Sequence, residues 1–192
     1  LLLILNRRNI IAQAHHGSGK TASFVLAMLS VVDVTQNTPQ AICLCNTREL
    51  AVQILEVVRE LGKYIGVRAY MAVAGVVKKP ITLHIVVGTP GAVFHRLGKE
   101  IPAPDRNIRM VVFDEADVLV NENDGMRGGG AGRGGRGGMR GGMRGGPPSE
   151  GLVQQAAGVK KACVMAQVLL FSATFGDDVM GFAENTAPNA TK

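Results

Sequence analysis

The sequence predicts an α/β protein, a parallel β-sheet flanked by helices. Short apolar runs without strict alternation recur along the chain, as parallel strands buried on both faces require. Helix-length stretches with apolar residues three and four apart separate those runs. Polar or glycine-rich segments follow the runs, where an open parallel sheet binds its ligands. The 192 residues, 46% of them hydrophobic, suffice for one domain-sized core.

The elements follow in order. Asn9–Gln13 is the first strand. After His15–Thr21, a helix is marked by Phe24, Val25, Met28, Val31 and Val32. Ala41–Cys45 is the second strand, and Asn46–Glu49 leads into a helix with Ala51, Ile54, Leu55, Val58 and Leu61 on one face. Val67–Val73 is a further strand candidate. His84–Val87 ends in Gly88–Gly91, Arg109–Phe113 in Asp114–Asp117, and Gln167–Phe171 in Ser172–Thr174. In a parallel sheet with right-handed crossovers, these polar segments converge on one edge.

One segment breaks the alternation. Residues 126–146 read MRGGGAGRGGRGGMRGGMRGG, with Arg-Gly-Gly triplets starting at Arg127, Arg133, Arg136, Arg140 and Arg144. It holds no branched aliphatic residue and no aromatic, so it cannot offset its ordering entropy by burial. Residues 121–150 are therefore expected to be a disordered RGG insert, dividing one domain into residues 1–120 and 151–192. The net charge is +6, and the five arginines of residues 125–149 leave only +1 for the rest. That distribution describes a nearly neutral globule with a basic arm, able to pair phosphates and stack on bases with salt-sensitive affinity.

Other classes are excluded. No apolar run approaches the roughly 20 residues of a membrane span, so no membrane insertion is expected. The opening run Leu1–Leu5 is too short for a signal sequence, and Arg7 and Arg8 follow it. The chain lacks an initial Met and reads as a piece of something longer. Cys43, Cys45 and Cys163 form no CxxC pair and are expected as small core residues in a reducing compartment. His15, His16, His84 and His95 read as loop, packing or surface residues, and Lys78-Lys79 as a solvated face.

Two segments carry chemistry. Ala14-His15-His16-Gly17-Ser18-Gly19-Lys20-Thr21 lies between a strand and a helix. Glycines let the backbone wrap a phosphate with its N–H groups inward, and the helix N-terminus adds partial positive charge. Lys20 can reach the terminal phosphates and Thr21 can ligate Mg²⁺. Asp114-Glu115-Ala116-Asp117 follows an apolar strand. Asp114 suits a carboxylate that holds Mg²⁺ through water, and Glu115 can orient and deprotonate an attacking water.

Phe113-Asp114-Glu115-Ala116-Asp117 resembles the signature of the DEAD-box RNA helicases. Ala14–Thr21 is similar to their first motif, Thr47-Arg48-Glu49-Leu50-Ala51 to their PTRELA segment, Thr89-Pro90-Gly91 to TPG, and Ser172-Ala173-Thr174 to SAT. Asp114 and Ser172 are 58 residues apart, and 33 remain once the 25-residue arm is set aside, a normal family spacing. Ile11-Ala12-Gln13, Pro39–Leu44 and Leu169–Phe175 further resemble the branch that works in mRNA export at the nuclear pore.

The resemblance implies the first of two RecA-like, P-loop NTPase domains, with ATP and Mg²⁺ as cofactors. Gly17, Ser18, Gly19, Lys20 and Thr21 would bind the triphosphate, with Thr21 and Asp114 on the metal. Glu115, Asp114 and Lys20 would be catalytic. Thr47, Arg48, Gly75, Thr89 and Gly91 would contact the RNA backbone without reading sequence. Asp117, Ser172 and Thr174 would couple ATP state to RNA. The expected activity is that of an ATP-dependent RNA helicase, whose partners are RNA, the second RecA-like domain and nuclear-pore or export factors. Its expected location is the cytoplasm and nucleus, including the nuclear envelope and pore.

The chain departs from the family pattern in places. Asn46 replaces the PTRELA proline, Ala74-Gly75 a Gly-Gly pair, Ala92 the arginine after TPG, and Ala14 the first phosphate-loop glycine. The family's adenine-contacting glutamine and the second domain's arginine fingers are expected outside this chain, which alone should be nearly inactive. Alternative readings are a translation-initiation-type RNA helicase, a non-catalytic RNA-binding scaffold acting through the arm, and a DNA-directed or metabolic phosphate-loop ATPase.

Overall fold

The structure, a computed structural model, describes residues 6–15, 17–75, 82–121 and 151–192. The Arg-Gly-Gly segment, the opening leucine run, His16 and Lys78-Lys79 lie outside the described residues. The element order is β1 (Ile10–Gln13), α1 (Lys20–Val31), β2 (Ala41–Leu44), α2 (Arg48–Gly62), β3 (Ala69–Ala72), β4 (Ile85–Gly88), α3 (Pro90–Phe94), α4 (Pro104–Asn107), β5 (Met110–Phe113), α5 (Ala116–Asn121), α6 (Leu152–Ala162), β6 (Gln167–Ser172) and α7 (Asp177–Thr186). Each expected strand forms within two residues of its expected bounds.

All neighbouring strands pair in parallel, in the order β1-β6-β5-β2-β4-β3. The carboxyl ends therefore share one edge of the sheet. Residues 151–192 belong to the same sheet as the first part of the chain, because β6 inserts between β1 and β5.

Side chains alternate across the strands and divide the core into two layers. Ala41, Cys43, Ile85, Val87, Met110 and Val112 face one side, where Phe24 and Met28 of α1 and Ile54 and Val58 of α2 cover them. Ile42, Leu44, Val86, Val111, Phe113 and Leu170 face the other, under Val93, Leu119, Val159 and Phe182. Each such fully buried large side chain contributes about 1.5–3 kcal/mol relative to exposure. All three cysteines are free and buried. Burial pushes the Cys45 and Cys163 thiols up to about 12, and raises Cys43 as well. They stay protonated and behave as small apolar side chains.

Two contacts fix the ends of the sheet, the first at its amino edge and the second at the carboxyl edge that carries the polar segments. The Arg109 guanidinium donates to Val31 O at 2.9 Å, satisfying a carbonyl at the end of α1. At the end of β4, a Cβ on Gly88 would sit 1.9 Å from Ala72 O. Only glycine lets β3 and β4 approach this closely, and Thr89 follows directly.

Candidate functional site

The sheet edge divides in two. Adjacent strands β1, β6 and β5 deliver the phosphate-loop residues, Ser172–Thr174 and Asp114–Asp117. Strands β2, β4 and β3 deliver Thr47–Arg48, Thr89–Gly91 and Gly75.

In the first half, Gly17 and Gly19 both take φ +79°, a conformation that strains any residue with a Cβ. Gly19 is also the N-cap of α1. That helix start has no side-chain cap and no acidic residue in its first turn. Its N–H groups and partial positive charge remain available to an anion. Lys20, the first residue of α1, reaches across to the end of β5. Its Nζ lies 3.0 Å from Asp114 Oδ1 and 3.8 Å from Glu115 Oε1. The Lys20 side chain is 9% exposed and that of Asp114 0%. In so dry a place one lysine is the partner that makes burial of the aspartate tolerable.

Asp114 Oδ2 is buried with no hydrogen-bond partner. An orphaned carboxylate oxygen beside the phosphate loop fits a cation-binding role, and Thr21 lies one residue after Lys20. Among the described residues, no group of three or more His, Cys, Asp or Glu is placed to hold a metal ion. An ion here would take much of its coordination from phosphate and water oxygens, as Mg²⁺ commonly does.

Glu115 sits at φ +55°, in the left-handed region. Such strain costs of order 1–3 kcal/mol for a non-glycine residue. It marks the sharp turn from β5 into α5, whose first turn closes on Glu115 O through the Val118 and Leu119 N–H groups.

Ser172 and Thr174 enclose Asp117. The Ser172 hydroxyl accepts from Asp117 N–H at 3.2 Å and donates to Thr174 O at 2.6 Å. The Thr174 hydroxyl donates to Asp117 Oδ2 at 3.0 Å. Burial raises the Asp117 pKa, but contacts with Ser172 and Thr174 outweigh it and hold the carboxyl below its ordinary value. Gln13, at the end of β1, donates from Nε2 to Ala173 O at 3.0 Å and ties this segment to the phosphate-loop strand.

The second half is more open. Thr47 and Arg48 are exposed at the start of α2, and the Thr47 hydroxyl caps that helix by accepting from Leu50 N–H at 3.1 Å. Gly75, Thr89 and Gly91 line a cavity of about 410 Å³ together with Ala92, Arg96 and Leu152. Thr47 and Arg48 do not line it. The Arg96 charge is engaged by Glu100 at 3.0 Å, and its Nη1 donates to Ala92 O. Behind Gly91, a Cβ would stand 2.7 Å from Gln155 Oε1, so α3 lies close on α6.

The Asn46 side chain crosses between the halves. Asn46 donates from Nδ2 to Glu115 O at 3.1 Å. From sequence it stands out only as a substitute for proline. Its amide partner is 69 positions away, and no local pattern identifies such a contact.

The DEAD/DEAH box helicase family model matches residues 1–129, and the chain belongs to that family. It is 39% identical over 193 residues to the ATP-dependent RNA helicase DBP5 of Candida glabrata, covering 99% of this chain and 33% of that protein. It is 38% identical over 195 residues to the ATP-dependent RNA helicase dbp5 of Schizosaccharomyces pombe, covering 100% and 33%. The chain thus spans about a third of the length of these relatives. Among solved structures, S. cerevisiae Dbp5 bound to RNA and ADP BeF3 superposes with a TM-score of 0.78 at 36% identity, covering 99% of this chain and 42% of that one. A variant of the same protein bound to Nup159, Gle1, IP6 and ADP gives 0.77 at 36%, covering 96% and 42%.

Proposed function

We propose that this chain is the ATP-binding RecA-like domain of an ATP-dependent RNA helicase that remodels RNA in mRNA export. The observation that carries the reading is the meeting of Lys20 with Asp114 and Glu115, at 3.0 and 3.8 Å, beside an uncapped helix start. The resemblance to Dbp5 chains, one of them bound to RNA and ADP BeF3, supports it.

Each residue has a task in this reading. The N–H groups from Gly17 to Thr21 receive the β- and γ-phosphates of ATP. Lys20 exchanges its bond to Asp114 for one to the terminal phosphates. Thr21 and Asp114 would hold Mg²⁺, which when bound would supply positive charge to the phosphate oxygens. Glu115 accepts the proton of the attacking water. The Asp117–Ser172–Thr174 cluster transmits the nucleotide state between strand ends. Thr47, Arg48, Gly75, Thr89 and Gly91 bind the RNA sugar–phosphate backbone, which carries no sequence information.

Completion of the site requires a second RecA-like domain supplying arginine fingers, worth roughly 10³–10⁵ in rate. Dbp5 bound to Nup159 and Gle1 supports nuclear-pore and export factors as partners, and hence action at the pore, in the nucleus and in the cytoplasm. The Arg-Gly-Gly segment serves as an auxiliary RNA arm. In support, the chain returns from it into α6, whose first residue Leu152 lines the cavity with Gly75, Thr89 and Gly91.

The test is ATP hydrolysis by the protein carrying both RecA-like domains, with and without RNA. Stimulation by RNA and not by DNA supports the reading, and hydrolysis indifferent to RNA overturns it. RNA binding that persists in Lys20→Ala but vanishes on deletion of residues 125–149 would favour a scaffold instead.

A further inference from the structure

We propose that Asn46 is a positioning residue that couples the Thr47–Arg48 segment to the catalytic glutamate. This role rests on the helicase reading above and adds a specific connection within it.

The path is short and made of named bonds. Asn46 Nδ2 donates to Glu115 O at 3.1 Å. Asn46 Oδ1 is buried and accepts from nothing. Turning the amide over would set that oxygen against the Glu115 carbonyl, so the donor orientation is the favourable one. The carbonyl it grips belongs to a residue in a strained backbone state, at φ +55°. It is also the carbonyl on which α5 begins, accepting from Val118 and Leu119 N–H at 3.0 and 3.2 Å. Holding that oxygen fixes the peptide plane from which the Glu115 side chain departs.

The other end of the path is equally tied. Cys45 N–H donates to Gly88 O at 3.0 Å, and the Cys45 thiol lies 3.6 Å from both Thr47 O and Gly88 O. Thr47, adjacent to Asn46, caps α2. A shift of Thr47 and Arg48 on gripping a phosphate backbone therefore moves Asn46, and Asn46 moves the Glu115 peptide. The Ser172–Asp117–Thr174 cluster does not include this contact and holds the same turn two residues further on, at Asp117.

The experiment uses Asn46→Ala and Asn46→Asp in the full-length protein. Asn46→Asp keeps the shape and removes the donor. Both variants are measured for melting temperature, KM for ATP, and kcat with and without saturating RNA. The ratio of RNA-stimulated to unstimulated kcat should fall about fivefold, the rate equivalent of one net hydrogen bond. The KM for ATP should stay within about twofold, because the phosphate loop is untouched. A ratio at the wild-type level in both variants overturns the coupling role. So does a loss of ATP affinity and melting temperature in parallel with kcat, which would mark a general structural role. A wild-type protein that ignores RNA overturns the helicase reading itself, and this role with it. An RNA-responsive wild type with unaffected variants overturns the role alone.

Discussion

The two halves of the sheet edge are built differently. In the β1–β6–β5 half, the charged and hydroxyl groups already touch one another: Lys20 with Asp114, and Asp117 with Ser172 and Thr174. In the β2–β4–β3 half, Thr47, Arg48 and Gly75 are exposed, and Gly75 lines an open cavity with Thr89, Gly91, Ala92, His95, Arg96 and Leu152. A site for a compact, highly charged ligand gains from groups held in advance, because electrostatic stabilisation is strongest where nothing must reorganise. A site for an extended backbone needs spaced amides, hydroxyls and a cation along an open surface. On the proposed reading, the difference between the two halves follows from ligand shape and charge.

The largest effect is expected at Glu115. Glu115→Gln should reduce RNA-stimulated hydrolysis by about 10²–10⁴-fold with ATP affinity retained, since a general base is lost and the phosphate contacts are kept. Steady-state hydrolysis and a nucleotide-binding titration check it, and turnover at the wild-type rate would remove Glu115 from the mechanism. Lys20→Ala comes next. It should abolish ATP binding and also strand a fully buried carboxylate, lowering stability by about 3 kcal/mol in the absence of nucleotide. Thermal melting of the apo protein reads that effect, and an unchanged midpoint would show that Asp114 does not depend on Lys20.

The open half should respond more gently. Arg48→Ala should weaken RNA binding and lower the slope of log K against log salt by about 1, leaving ATP affinity alone. Binding titrations at several salt concentrations decide this. The smallest effect concerns Asp117. Its carboxyl pKa is held below the ordinary value, so it adds stability that is complete above about pH 4 and is lost as pH falls through the depressed value. Melting temperatures of Asp117→Asn should therefore decline less than wild type between about pH 5 and pH 3. An equal decline in both would show that the Ser172 and Thr174 contacts do not favour the ionised form.

The same contrast explains what could be read from the chain. Strands such as Met110–Phe113 and Ala41–Leu44 announce themselves because burial on both faces demands unbroken apolar runs. The phosphate loop is legible because its glycines, lysine and threonine act within eight consecutive residues. Helix α6 carries weaker local signals, with Gly158 in its interior. A Cβ there would meet the Phe94 ring at 2.4 Å, so that glycine is explained by packing against α3. Gln13 and Asn46 are harder still. Each acts through a single amide on a carbonyl 160 or 69 positions away, a relation that only the folded sheet edge creates.

The most direct measurement is a crystal structure of the chain with a non-hydrolysable ATP analogue and Mg²⁺. The γ-phosphate is expected at Lys20 Nζ, the metal beside Asp114 and Thr21, and the Lys20–Asp114 pair of 3.0 Å opened to admit them. A nucleotide bound elsewhere with that pair intact would contradict it.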